Sequence, residues 1–141
     1  MCDKTELARQ MMTEGAYTCV LLLGDAQYTS HERGVKPLLM LLQSGRSYEG
    51  GVAADKTVGA GAAHLYVLLG VRRLWANVIS TAALQVLAQN GIEAAYGECV
   101  PYIINRRGDG PCPIESAVEG AKSSREAHER ILRALERLQR K

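Results

Sequence analysis

The chain has 141 residues, 47% hydrophobic and 23% charged, a composition that fits one globular domain and excludes wholesale disorder. Its formal net charge of +2 is too small to argue for nucleic acid, and no stretch approaches the roughly 20 apolar residues that cross a bilayer. The basic excess is local: Lys122 to Lys141 carries seven Lys/Arg against three Glu, a local +4 that leaves −2 for the rest.

The first element is a helix. Asp3-Lys4-Thr5-Glu6 has capping-box spacing, Leu7, Ala8, Met11 and Met12 share a side, and Gly15 closes it. The polar, acid-bearing start is unlike a signal peptide, so a cytoplasmic protein is expected. Tyr17 to Leu23 is a continuous apolar run of strand length, the pattern of a central strand covered on both faces. Gly24-Asp25 is a turn signal and Gln27 to Ser30 a short return strand, which together predict a hairpin. Pro37 opens a short helix that Gly45 ends. Gly50 to Ala54 reads as a small-residue strand running into Asp55-Lys56. Val58, Ala62, Leu65 and Leu69 repeat at helical spacing up to Gly70. Arg72 to Ile79 is the next strand, Thr81 to Gln89 the next helix, and Ile92 to Gly97 the last strand.

The β-α-β-α-β order demands parallel strands, and the opening hairpin makes the sheet mixed. A three-layer α/β/α sandwich in a single domain, residues 1–141, is the expectation. With no Phe and one Trp, its core must come from Leu, Val, Ile, Ala, Met and Tyr. Residues 100–119 hold three of the four prolines and read as a long irregular loop, a kind often functional. The chain then reads as an amphipathic helix at about 124–139, opened by a second capping box, Ser123-Ser124-Arg125-Glu126. Ala127, Ile131, Ala134, Leu135 and Leu138 form its apolar face, and His128 is placed on its exposed side.

Three places could carry chemistry. Asp55-Lys56-Thr57-Val58-Gly59 lies where a strand passes into a helix, the end of a parallel sheet where ligands bind and where free helix N–H groups suit phosphate or carboxylate. Neither the Walker nor the GxGxxG spacing is present. The plainer alternative is that Asp55 caps the helix and the glycines allow close packing. Ser80-Thr81 stands at the equivalent junction one β-α unit later, with capping again the plainer role. Adjacent parallel strands bring both junctions to one crevice. The third place is the loop with Asn105, Arg106, Asp109 and Cys112, where Cys112 is a possible nucleophile and a simple surface loop the alternative. The cysteines Cys2, Cys19, Cys99 and Cys112 form no CxxC pair, and Cys19 reads as a buried thiol. His31, His64 and His128 show no metal-ligand spacing, so neither metal nor cofactor is expected. The Arg-rich last helix is most simply a solvated face, and nucleic acid is the minority reading.

Arg33-Gly34-Val35-Lys36-Pro37, Ala54-Asp55-Lys56-x-Val58-Gly59-x-x-Ala62-Ala63 and Ile103-Ile104-Asn105-Arg106-x-Gly108-Asp109-Gly110-x-Cys112-Pro113, in that order, resemble a bacterial and archaeal domain-of-unknown-function family. The resemblance spans nearly the whole chain and implies a five-stranded mixed sheet between helices, in a fold similar to that of cytidine deaminases. It does not carry over their zinc chemistry. Such enzymes place His or Cys and a Glu at the first helix start and Pro-Cys-x-x-Cys at the second. This chain has Asp55-Lys56-Thr57 and Ser80-Thr81-Ala82-Ala83 there.

The expectation is a metal-independent crevice for a nucleotide- or nucleoside-like molecule. Asp55 would act as acid/base, nucleophile or ribose acceptor, with Lys56 and Arg106 on phosphate. Thr57 and Gly59 would contact the ligand at the helix start, and Ser80, Thr81, Asn105, Asp109 and Cys112 would form the walls. The alternatives are a non-catalytic ligand-sensing or assembly module and a thiol-dependent enzyme using Cys112, so catalysis itself stays open. By analogy with deaminase-like domains a homo-oligomer is expected, with no membrane partner.

Overall fold

The computed structural model describes residues 4–32, 34–104 and 112–139. Its elements are α1 (Lys4–Glu14), β1 (Cys19–Leu23), β2 (Ala26–Ser30), α2 (Lys36–Gln43), β3 (Val52–Val58), α3 (Ala60–Leu69), β4 (Arg73–Ser80), α4 (Thr81–Gln89), β5 (Glu93–Val100), α5 (Pro113–Val118) and α6 (Ser124–Gln139). The five strands form one mixed sheet in the order β2-β1-β3-β4-β5. β1 runs antiparallel to both β2 and β3, while β3, β4 and β5 are parallel. The fold is therefore α/β.

Strand alternation sends side chains into two apolar layers. Val20 and Leu22 of β1 join Val52 and Ala54 of β3 against Ala8 and Met12 of α1. Cys19, Leu21, Ala53, Leu74 and Ala76 point the other way, into the larger core with Leu65, Tyr66 and Leu69 of α3, Leu87 of α4 and Ile131 of α6. Burial on both faces explains the uninterrupted apolar run of β1. On the α1 side the Arg9 guanidinium stacks 4.0 Å above the Trp75 ring.

α3 is buried almost all round, because the sheet covers one side and α6 another. It stops at Gly70, whose φ of +84° suits glycine and whose N–H reaches the carbonyls of Tyr66 and Val67. α6 opens with one half of the predicted capping box, the Glu126 N–H donating to Ser123 Oγ at 3.1 Å, while Glu126 Oε2 accepts from the Lys122 N–H at 2.8 Å, one residue before the cap.

Three local expectations need correction. β3 extends through Val58 and α3 starts at Ala60, so Asp55 lies within the strand and does not cap the helix. Thr57 and Val58, both β-branched, favour that extension. The segment 100–119 is not wholly irregular, since β5 runs to Val100 and Pro113–Val118 is helical. Pro113 sits at the start of α5, where its missing N–H costs nothing. His128 is half-buried, with Nε2 shielded from solvent, because position 128 follows Ser124 by one turn on the inward side of α6.

Candidate functional site

The carboxyl ends of β3 and β4 lie side by side, with Val58 paired to Ile79. β1 is antiparallel, so its beginning meets the same end of the sheet: Cys19 pairs with Asp55, and the Lys56 N–H donates to the Thr18 carbonyl at 3.0 Å. The antiparallel neighbour thereby places a thiol beside Asp55, within the parallel strand β3.

Asp55 is 7% exposed and faces α3. The Tyr66 hydroxyl donates to its Oδ2 at 2.7 Å, and the Thr57 N–H to its Oδ1 at 3.3 Å. Tyr66 Oη also lies 3.3 Å from Cys19 Sγ. Burial pushes the Asp55 carboxyl up to about 7, and the donors Tyr66, Thr57 and Lys56 N–H offset only part of that rise. Burial likewise raises the Cys19 thiol and the Tyr66 phenol, and the adjacent Asp55 charge adds to both. Asp55 is thus the member of the group whose proton affinity burial brings close to neutrality.

The other predicted residues divide. Lys56 and Thr57 are exposed at the end of β3. Ser80 is fully buried and caps α4, its Oγ accepting from the Ala83 N–H at 3.1 Å. Thr81 is exposed and donates to the Pro101 carbonyl at 3.3 Å, tying α4 to the end of β5. Gly59 immediately precedes α3, but the space beside it is filled by the Glu115 carboxylate, and Ile114 fills that beside Gly61. The glycines therefore permit packing of α5 on the first turn of α3, which realises the plainer alternative in a different partner. Cys112 is half-buried at the start of α5, with its N–H bonded to the Ile103 carbonyl at 2.8 Å. Asn105, Arg106 and Asp109 lie outside the described residues.

Tyr66 and Glu115 escaped the sequence reading. A tyrosine on a nearly all-apolar helix needs a partner for its hydroxyl, and that was the available signal. Glu115 is three residues past Cys112, the capping-box position, but the Cys112 N–H is taken by Ile103. Its carboxylate turns instead to Gly59, and Oε1 is buried with no hydrogen-bond partner among the described residues.

The histidines are occupied structurally or set apart. His31 Nδ1 lies 3.1 Å from the Ala16 carbonyl. His64 Nδ1 lies 3.0 Å from Ser124 Oγ, which joins α3 to α6, and burial lowers its proton affinity. Among the described residues no group of three His, Cys, Asp or Glu could hold a metal ion, and no helix is long and apolar enough to cross a membrane.

No curated protein matches the chain. Among solved structures it is similar to the crystal structure of a DUF1893 family protein, TM1506, from Thermotoga maritima. The two share 24% identity with a TM-score of 0.85, over 94% of this chain and 91% of that one, a likeness of fold. The family described as TM1506, domain of unknown function (DUF1893), matches residues 7–135. The chain belongs to the DUF1893 family.

Proposed function

We propose that the carboxyl end of β3 and β4 is a metal-independent binding crevice for a nucleoside- or nucleotide-like molecule, in a sandwich related in form to cytidine deaminases. The observation that carries this reading is Asp55: a buried carboxyl within β3, three residues before that parallel strand's carboxyl end, with a proton affinity near neutrality. Asp55 exchanges a proton with the ligand or accepts a ribose hydroxyl. Lys56 faces phosphate from the exposed end of the strand, aided by Arg106. Thr57 and Thr81 supply hydroxyls at the rim, and Asn105, Asp109 and Cys112 complete the wall.

A second reading, binding without turnover, is favoured by the two helix starts themselves. Ser80 is spent on capping and Gly59 is covered by Glu115, so neither offers a group for catalysis. Self-association also belongs to the proposal, because β5 is an edge strand whose residues are largely exposed.

Calorimetric titration of the full chain with adenosine, cytidine and their 5′-monophosphates tests the reading. Saturable binding that weakens at least about tenfold in Asp55→Asn and in Lys56→Ala is expected, a loss of about 1.4 kcal/mol. Equal affinity in both variants, or no binding of any of the four, contradicts it. Product formed from the bound compound would separate the enzyme from the sensor.

A further inference from the structure

We infer that Tyr66 is a positioning residue for Asp55: its buried phenol donates to Oδ2 and fixes the carboxyl within β3. The inference rests on the proposed role of Asp55 and extends it to a residue eleven positions away, on a different element.

The geometry is a chain of three polar groups crossing the core side of the sheet. Cys19 of β1, Tyr66 of α3 and Asp55 of β3 meet with Sγ–Oη 3.3 Å and Oη–Oδ2 2.7 Å. One hydroxyl has one proton and two possible acceptors. The carboxylate oxygen is the stronger acceptor and the closer one, so the phenol proton goes to Asp55. The thiol then donates to the phenol oxygen, and the chain runs from Cys19 through Tyr66 to Asp55. Among the described residues, the groups facing the carboxyl are Tyr66 from α3, Cys19 from β1 and the N–H groups of Lys56 and Thr57 from its own strand. Ala76, opposite on β4, brings no charge.

Burial keeps both the thiol and the phenol protonated through the neutral range, so they act as fixed donors and only Asp55 changes state. Tyr66 holds Oδ2 from below, and the Thr57 N–H holds Oδ1 along the strand. With both oxygens engaged the carboxyl cannot rotate without breaking a bond, which pre-sets the angle at which it would meet a ligand. A tyrosine serving only as apolar filling would leave the carboxyl free of it.

The test is the Asp55 titration in the full chain, followed by carbon-13 NMR of the side-chain carboxyl and assigned by its loss in Asp55→Asn. Tyr66→Phe keeps the ring and removes the donor, so the midpoint should move up from about 7 by at least about one unit, a tenfold gain in proton affinity. Cys19→Ala empties a neighbouring volume but leaves the 2.7 Å bond, and should move the midpoint by much less. A midpoint in Tyr66→Phe that equals the wild type, or that moves no more than in Cys19→Ala, overturns the inference. Should Tyr66→Phe not fold, the wild type carries a second readout: a protected Tyr66 hydroxyl proton whose resonance follows the Asp55 midpoint. A hydroxyl resonance indifferent to that titration also overturns it. Both readouts are made without ligand, so their failure is distinct from a failure to bind nucleotides. Where binding is found, its pH midpoint should rise in Tyr66→Phe together with that of Asp55.

Discussion

Replacing Asp55 by Asn separates the energetic cost of the buried carboxyl from everything else in the core. Asn keeps the shape and can accept from Tyr66, but it cannot ionise. In the unfolded chain the Asp55 carboxyl titrates near its ordinary value of 3.8, whereas in the folded protein burial raises it to about 7. Because the folded value is the higher one, stability linked to this group is fully present below the unfolded value. It falls as pH rises and levels off above the folded value. Roughly three units correspond to about 4 kcal/mol in all, of which about 2 to 3 kcal/mol is lost between about pH 5 and about pH 8.5. Asn is silent over that window. Against this gain, its amide hydrogens face the Thr57 and Lys56 N–H groups, a mismatch worth about 1 to 3 kcal/mol at every pH. Urea unfolding of both proteins at several pH values isolates the ionisation as the difference between them. The wild type should lose about 2 to 3 kcal/mol relative to Asp55→Asn from the acidic to the alkaline end. A difference that does not change with pH would refute the argument that Asp55 is buried with a raised proton affinity.

Other expectations concern packing. In Gly61→Ala the new Cβ would lie 2.6 Å from Ile114 Cγ2, so α5 must shift and stability should fall by roughly 1 to 3 kcal/mol in thermal or urea unfolding. Gly59→Ala meets only the end of the flexible Glu115 side chain, and should cost less than Gly61→Ala in the same assay. Ser80→Ala removes the α4 cap at a buried position, for a loss of about 1 to 2 kcal/mol that leaves nucleotide affinity unchanged if Ser80 is purely structural.

Much of the framework was legible in the residues. The continuous apolar run of β1, the Gly70 stop of α3 and the Ser80 boundary all follow from local rules that tertiary structure does not override. The β3–α3 junction was misplaced because Asp55, a common helix-cap residue, stands shortly before the small-residue run Gly59 to Ala63. The exposed Lys56 and Thr57 hide the continuation of a strand whose hydrogen bonds come from β1 and β4. The Cys19–Tyr66–Asp55 group could not be read at all. It depends on which strand lies beside β3 and on how α3 turns back over it, and neither is encoded at a fixed spacing. Glu115 faces Gly59 for a similar reason: its direction is set by the packing of α5 on α3 and by the prior claim of Ile103 on the Cys112 N–H.

The most direct test of the central claim is native mass spectrometry of the purified full chain, incubated with the 5′-monophosphates of adenosine and cytidine, beside Asp55→Asn treated identically. A nucleotide-sized mass on the wild type, lost on denaturation and strongly reduced in Asp55→Asn, is the expected result. A bare polypeptide mass for the wild type, or equal occupancy of the two proteins, would contradict a binding site built on Asp55.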